Sequence, residues 1–201
     1  MRKWDELNLQ EKIDYREWFD VLDVPEEDKE KRVELAEKID DTFDWLFALI
    51  SLMAATGETI DTEYLILSVQ YRLEELVNVN VRYVSEHIVK VAGETVETTV
   101  EHIDEDYYLS PLRSSEIAAN EAQAYYNYEE LQEAYENGCT KKTWVAEVDK
   151  KTRKDHLMMN GKTIPIEDYF QFPDCEMIMP HDEVNGSGKQ TVNCRCVCKF
   201  S

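Results

Sequence analysis

Glycine is scarce in this chain, with 6 residues among 201, and none of them belongs to a phosphate-cradling loop. A backbone-lined nucleotide site therefore has little to be built from. No G-x-S-x-G or H-E-x-x-H string occurs, which removes the sequence signs of a nucleophile-elbow hydrolase and of a helix-borne zinc protease. Long hydrophobic runs are missing too. The longest nearly apolar stretch, Trp45 to Ala55, is 11 residues with Ser51 inside it, against about 18–20 for a bilayer span. The opening MRKWDELNLQ has no apolar stretch behind its two basic residues, so neither a secretory signal nor a membrane partner is expected.

Cysteine is absent before position 139. All five (Cys139, Cys175, Cys194, Cys196, Cys198) lie in the last 63 residues. Without an export signal the thiols are expected to be reduced, and an odd count excludes a complete disulfide framework within one chain. Positive charge is scarce in the same lopsided way. The chain carries 22 Lys+Arg against 43 Asp+Glu, a net of -21. Residues 139–201 hold 10 basic and 9 acidic side chains, which leaves 12 basic and 34 acidic in residues 1–138. The acidic part repels a phosphate backbone, so direct nucleic-acid binding is not expected there.

What is present reads mainly as helix. Trp4, Trp18, Phe19 and Leu22 are candidate anchors on a short helix before Pro25. From Pro25, Ala36, Ile39, Phe43, Leu46, Phe47, Ile50 and Met53 recur at helical spacing up to Gly57, and acidic Glu26, Glu27 and Asp28 complement the positive helix end. A second long helix is expected from Asp61 to Gly93, although Val77, Val79, Val81 and Tyr83 alternate at the strand period. Ser110-Pro111 starts a third helix, which Asn137-Gly138 stops. Beyond Gly138 the texture changes. Thr143–Val148 reads as a strand, Asp149 as the cap of a brief helix around Lys150–Met158, Asn160-Gly161 as a turn, and Met177–Met179 and Gln190–Phe200 as further strands. The expected fold class is α+β: an N-terminal arm (1–24), an acidic long-helix body (25–138) and a small mixed α/β C-terminal module (139–201) with short antiparallel strands.

Two constellations in the module could carry chemistry. As a strand, Asn193-Cys194-Arg195-Cys196-Val197-Cys198 would put three thiols on one face. Two thiolates can share a soft metal ion, zinc above all, if Cys139, His156, Cys175 or His181 supplies further ligands. Cys139, His156, Cys194 and Cys196 are the expected set, and small thiols filling a core are the alternative. The second constellation is Trp144, Asp149, Thr152, Arg153 and His156. Arg153 and His156 lie three apart, on one face of a short helix, where they could meet an anion or serve acid–base chemistry. Alternatively, Asp149 caps, Arg153 pairs with a carboxylate, and His156 satisfies a carbonyl or a metal. His87 and His102 stand alone and read as structural.

In this order the strings resemble the C-terminal region of the phage Mu F-like minor head (head morphogenesis) proteins of tailed phages and prophages. The parts are Ile117-Ala118-Ala119-Asn120-Glu121, Gly138, Trp144, Asp149, Thr152-Arg153, His156, Asn160-Gly161, Phe170, Pro180 and Asn193-Cys194-Arg195-Cys196. Asn120 stands where the family usually shows Thr, and Cys198 extends the common ending. The resemblance implies a non-enzymatic minor component of the virion, at the head interior or portal vertex after assembly in the bacterial cytoplasm. Its implied partners are the portal protein or the major capsid protein, with self-association as a further mode. Two readings from other classes remain open. One is a toxin-like or nuclease-type enzyme using Arg153 and His156 at an anionic substrate. The other is a DNA-mimic inhibitor built on the acidic body.

Overall fold

The computed structural model describes residues 8–201; Trp4 lies outside them. The chain is α+β, with long helices first and short antiparallel strands near the end. Helix α1 (Tyr15–Asp20) is capped by Asp14, whose side chain accepts from the Arg16 and Glu17 amides, and it buries Tyr15 and Phe19. Helix α2 (Glu26–Thr56) begins directly after Pro25 and ends at Gly57, whose φ of 72° closes the last turn. A side chain other than glycine is costly in that conformation. The expected stripe Ala36, Ile39, Phe43, Leu46, Phe47 and Ile50 is buried.

The second long helix is instead two. Helix α3 (Thr62–Glu74) starts at Asp61, which caps the Tyr64 amide, and α4 (Val84–Glu101) follows a break. Asn78 Oδ1 accepts from the Asn80 amide at 3.1 Å, a local turn that competes with helix. The neighbouring valines favour helix weakly, and Tyr83 takes a left-handed φ of 71°. Their alternation produces neither helix nor strand. Gly93 lies inside α4 rather than at its end, and a 3₁₀ turn (Asp106–Leu109) leads into α5 (Pro111–Glu136). Ser110 caps α5 with its side chain, as its Ser-Pro start implies.

The module after Gly138 is built on a three-stranded antiparallel sheet in the order β2-β1-β5: β2 (Thr163–Pro165), β1 (Lys141–Val145) and β5 (Val197–Phe200). A two-residue pair, β3 (Phe170–Gln171) and β4 (Glu176–Met177), lies beside it in sequence. The first strand thus begins two residues earlier than the alternation implied. Asp149 caps a turn rather than a helix, because its Oδ1 accepts from the Lys151 and Thr152 amides, and α6 (Lys154–Met159) starts only after Arg153. The tail is a strand only from Val197. Before it, α7 (Gly188–Thr191) forms a single turn, and Asn193, at φ 56°, interrupts any extended run. One cluster of buried apolar side chains runs from Tyr15 to Cys198, joining body and module. Among the described residues no helix is long and apolar enough to cross a membrane.

Candidate metal centre

Helix α5 positions the module. At helical spacing it presents Asn120, Gln123, Asn127 and Tyr128 to the segments that carry the site. Asn120 Oδ1 accepts from the Asn193 amide at 2.6 Å, Gln123 Nε2 donates to the Cys196 carbonyl at 3.3 Å, Asn127 Nδ2 donates to the Pro180 carbonyl at 3.0 Å, and the Tyr128 hydroxyl donates to Asp182 at 3.2 Å. Asn120 is thus a direct clamp on the cysteine segment. From the other side Arg195 donates to Asp149 Oδ2 at 2.6 Å, and the Arg153 guanidinium donates to the Val192 carbonyl. The Arg195 hydrogen bond holds the Asp149 carboxyl well below the usual carboxylate range, aided by Thr152 and the Lys151 amide. Asn160 Oδ1 receives the Ala146 amide at 3.0 Å, and the amide of Gly161 (φ 78°) bonds the Trp144 carbonyl at 2.8 Å. These two bonds seat α6 against β1.

The result is a gathering of side chains far apart in sequence. His156 on α6 is 2% exposed, and its Nδ1 lies 3.3 Å from Cys196 Sγ and 3.5 Å from Cys194 Sγ. These three residues form a group whose ligand atoms all lie within 4.8 Å of one another. The edge of Trp144, 5.5 Å away, and Phe172, also 5.5 Å away, wall the imidazole with apolar surface.

Hydrogen bonds around the ring fix which nitrogen carries the proton. Gln190 Nε2 donates to Asp174 Oδ1 at 2.8 Å and to Asp155 Oδ2 at 3.2 Å, so its amide oxygen is turned to His156 Nε2 at 3.2 Å. That oxygen can only accept. Nε2 therefore bears the hydrogen, and the Nδ1 lone pair faces the two sulfurs, the second-sphere arrangement that orients metal-binding histidines. Burial opposes the Cys194 thiolate, yet the hydrogen bond from Cys196 and the adjacent His181 outweigh it, and this thiol titrates well below the ordinary range. Cys196 is pushed the other way, first by its hydrogen bond to Cys194 and then by burial. A divalent ion would take both as thiolates together with the imidazole, a donor set that suits zinc.

The remaining cysteines stand apart. Cys139 is not in the group. The antiparallel register sets Lys141 opposite Ser201 and Val145 opposite Val197, so Cys139 lies just beyond the end of the strand pair that is farther from Cys196. Cys198 sits in β5 opposite Trp144, where burial raises its thiol while Lys142 opposes the rise. Cys175 is half-buried between β3 and β4. Glu121 is buried in α5, 2.7 Å from His87 Nε2. Gln190 gave no signal in the sequence, and the clamping face of α5 was masked by its many small and aromatic residues.

The family described as Phage Mu protein F like protein matches residues 84–199, more than half of the chain. The chain belongs to this family. The match takes in α4, α5 and the module up to Lys199, including every residue of the His156–Cys194–Cys196 group. A further similarity, 31% identity over 90 residues, is to the NAD(+)--arginine ADP-ribosyltransferase EFV of Enterococcus faecalis; it covers 44% of this chain. The chain spans 18% of that relative's length. No solved structure matches the chain.

Proposed function

We propose that this Mu F-like chain is a minor head protein of a tailed phage or prophage, acting in head assembly at the portal vertex or inner capsid. The observation that carries the reading is the family match over residues 84–199. The fate of the motif residues supports it. Trp144, Asp149, Arg153, Asn160, Gly161, Asn193 and Arg195 are spent on holding the module together or to α5, and Glu121 on joining α5 to α4, rather than on lining an open cleft. In this reading residues 139–201 are a rigid knob stapled by zinc at His156, Cys194 and Cys196, and residues 25–138 are an acidic helical body that docks on the portal or the major capsid protein.

An enzyme using Arg153 and His156 together is less well supported. The Arg153 guanidinium is engaged by the Val192 carbonyl, and His156 is buried against two sulfurs. The transferase activity in the name of the E. faecalis protein belongs to a chain of which this one spans 18%. Co-expression with the portal protein of the phage or prophage that carries it tests the proposal. Co-purification of the two, with no turnover of NAD or nucleic acid, is the expected result. A turnover abolished by His156→Ala in a folded chain that ignores the portal would overturn it.

A further inference from the structure

Three ligands leave a zinc site one short of closure, since structural zinc sites are four-coordinate. The surroundings are closed to bulk solvent. His156, Cys194 and Cys196 are each only 2% exposed, and the flanking walls are Trp144 and Phe172. Two further buried nitrogens nearby lack a hydrogen-bond partner: Trp144 Nε1, which as an indole N–H can only donate, and one on the His181 ring.

His181 is 1% exposed, and its Nε2 donates to the carbonyl of Cys194. A carbonyl oxygen only accepts, so Nε2 carries the hydrogen and Nδ1 is left with a lone pair. That Nδ1 is buried and has no hydrogen-bond partner, a state that buried polar atoms rarely keep without a role. The ring lies against the cysteine segment, held there by the Cys194 carbonyl. The backbone is committed as well. His181 holds a left-handed φ of 61°, a conformation that is strained for a residue other than glycine and persists only where surroundings enforce it. They do: Asp182, fully buried, accepts from the Ile178 and Asn185 amides and from Tyr128 of α5, and Asn127 holds the Pro180 carbonyl.

We propose that His181 Nδ1 is the fourth ligand, closing a Cys2His2 site with His156 Nδ1, Cys194 Sγ and Cys196 Sγ. The two histidines then share one logic, with Nε2 anchored to an oxygen and Nδ1 given to the ion. His181 stands outside the 4.8 Å group, so loading draws its ring toward the sulfurs and ties the segment before α7 to the strand end. A closed tetrahedron makes the ion structural, with no position left for substrate or water. This inference rests on the zinc reading of the same site.

The test uses the full chain, zinc and cobalt(II). Native mass spectrometry of the wild type first asks whether one zinc is bound. Absence of zinc there overturns the metal reading and this inference with it. With zinc present, His181→Asn is compared, because asparagine tolerates the left-handed backbone. Loss of a direct ligand should weaken zinc by more than the roughly 10–100-fold typical of an outer-sphere partner, and should convert the intense tetrahedral cobalt spectrum to a weaker, water-containing one. Cys139→Ser should change neither. An unchanged affinity and cobalt spectrum in His181→Asn would overturn the fourth ligand while leaving the zinc reading intact. If His181→Asn does not fold, ¹⁵N spectra of the zinc-loaded wild type decide. Metal-shifted Nδ1 signals from two histidines support the assignment, and a shift at His156 alone overturns it.

Discussion

His156 Nδ1 lies 3.3 Å from Cys196 Sγ across forty positions of sequence. The contact depends on the register of β1 and β5, which fixes where the cysteine segment ends, and on Asn160 and Gly161, which seat α6 beside Trp144. Four substitutions probe different parts of that arrangement.

Gln190→Leu removes the acceptor that sets the His156 tautomer while keeping comparable bulk. The Nε2 hydrogen loses its partner, and so do Asp155 and Asp174. Zinc affinity is expected to fall by about 10–100-fold in competition with a chromophoric chelator, with the far-ultraviolet circular dichroism unchanged. A full-strength site would show that the tautomer is set by something else.

Asp149→Asn tests the clamp between turn and tail. The Asp149 carboxyl is depressed chiefly by its hydrogen bond from Arg195. A depressed carboxyl contributes stability that is present above its unfolded pKa of about 3.9 and is lost as pH falls through the folded value. Urea midpoints of the wild type should therefore drop more steeply than those of Asp149→Asn below about pH 4. Parallel curves would remove the clamp from the acid response.

Lys142 is buried in β1, with its ammonium donating to the Ile166 carbonyl at 2.8 Å, and burial lowers its pKa to about 8. The folded state thus gives up this proton between about 8 and the ordinary 10.5, while the unfolded chain keeps it. Stability from this group rises with pH across that window. Lys142→Met should accordingly be more favourable relative to wild type at neutral pH than at alkaline pH, read from denaturation at both. A pH-independent difference would contradict the lowered pKa.

Gly186→Ala addresses the loop that carries His181. An added Cβ would stand 2.4 Å from the Asp182 carbonyl oxygen and 2.9 Å from the Met177 sulfur. The first is backbone and cannot step aside cheaply. A destabilisation of about 1–3 kcal/mol is expected, seen as an earlier urea transition, and a neutral result would mean that the loop re-forms around the methyl group.

Much of this was legible in the sequence, for identifiable reasons. Pro25, Gly57, Ser110-Pro111 and Gly138 announce helix ends through backbone constraints that local chemistry alone enforces, and α2 and α5 begin and end where they indicate. The break between α3 and α4 was hidden because its valines continue the apolar spacing of both neighbours, while the Asn78 turn that interrupts them is a side-chain effect without a periodic signature. Alternation along the tail predicts strand through Cys194 and Cys196, whereas Asn193 and α7 bend it. Those two thiols still meet His156, because tertiary clamps from α5 place them rather than strand alternation. Cys139 shares the cysteine-rich tail's composition but lies at the wrong end of β1, a distinction that only register makes. Gln190 and the orphaned nitrogen of His181 have no counterpart in residue spacing at all.

The most direct test of the metal-stapled knob is the mass and thermal unfolding of the reduced full chain before and after chelation. One zinc per chain, lost to the chelator together with several degrees of melting temperature and recovered on adding zinc back, is the expected result. A chain of bare mass whose melting is indifferent to chelator and zinc alike would contradict it, and would leave the thiols and His156 as ordinary core.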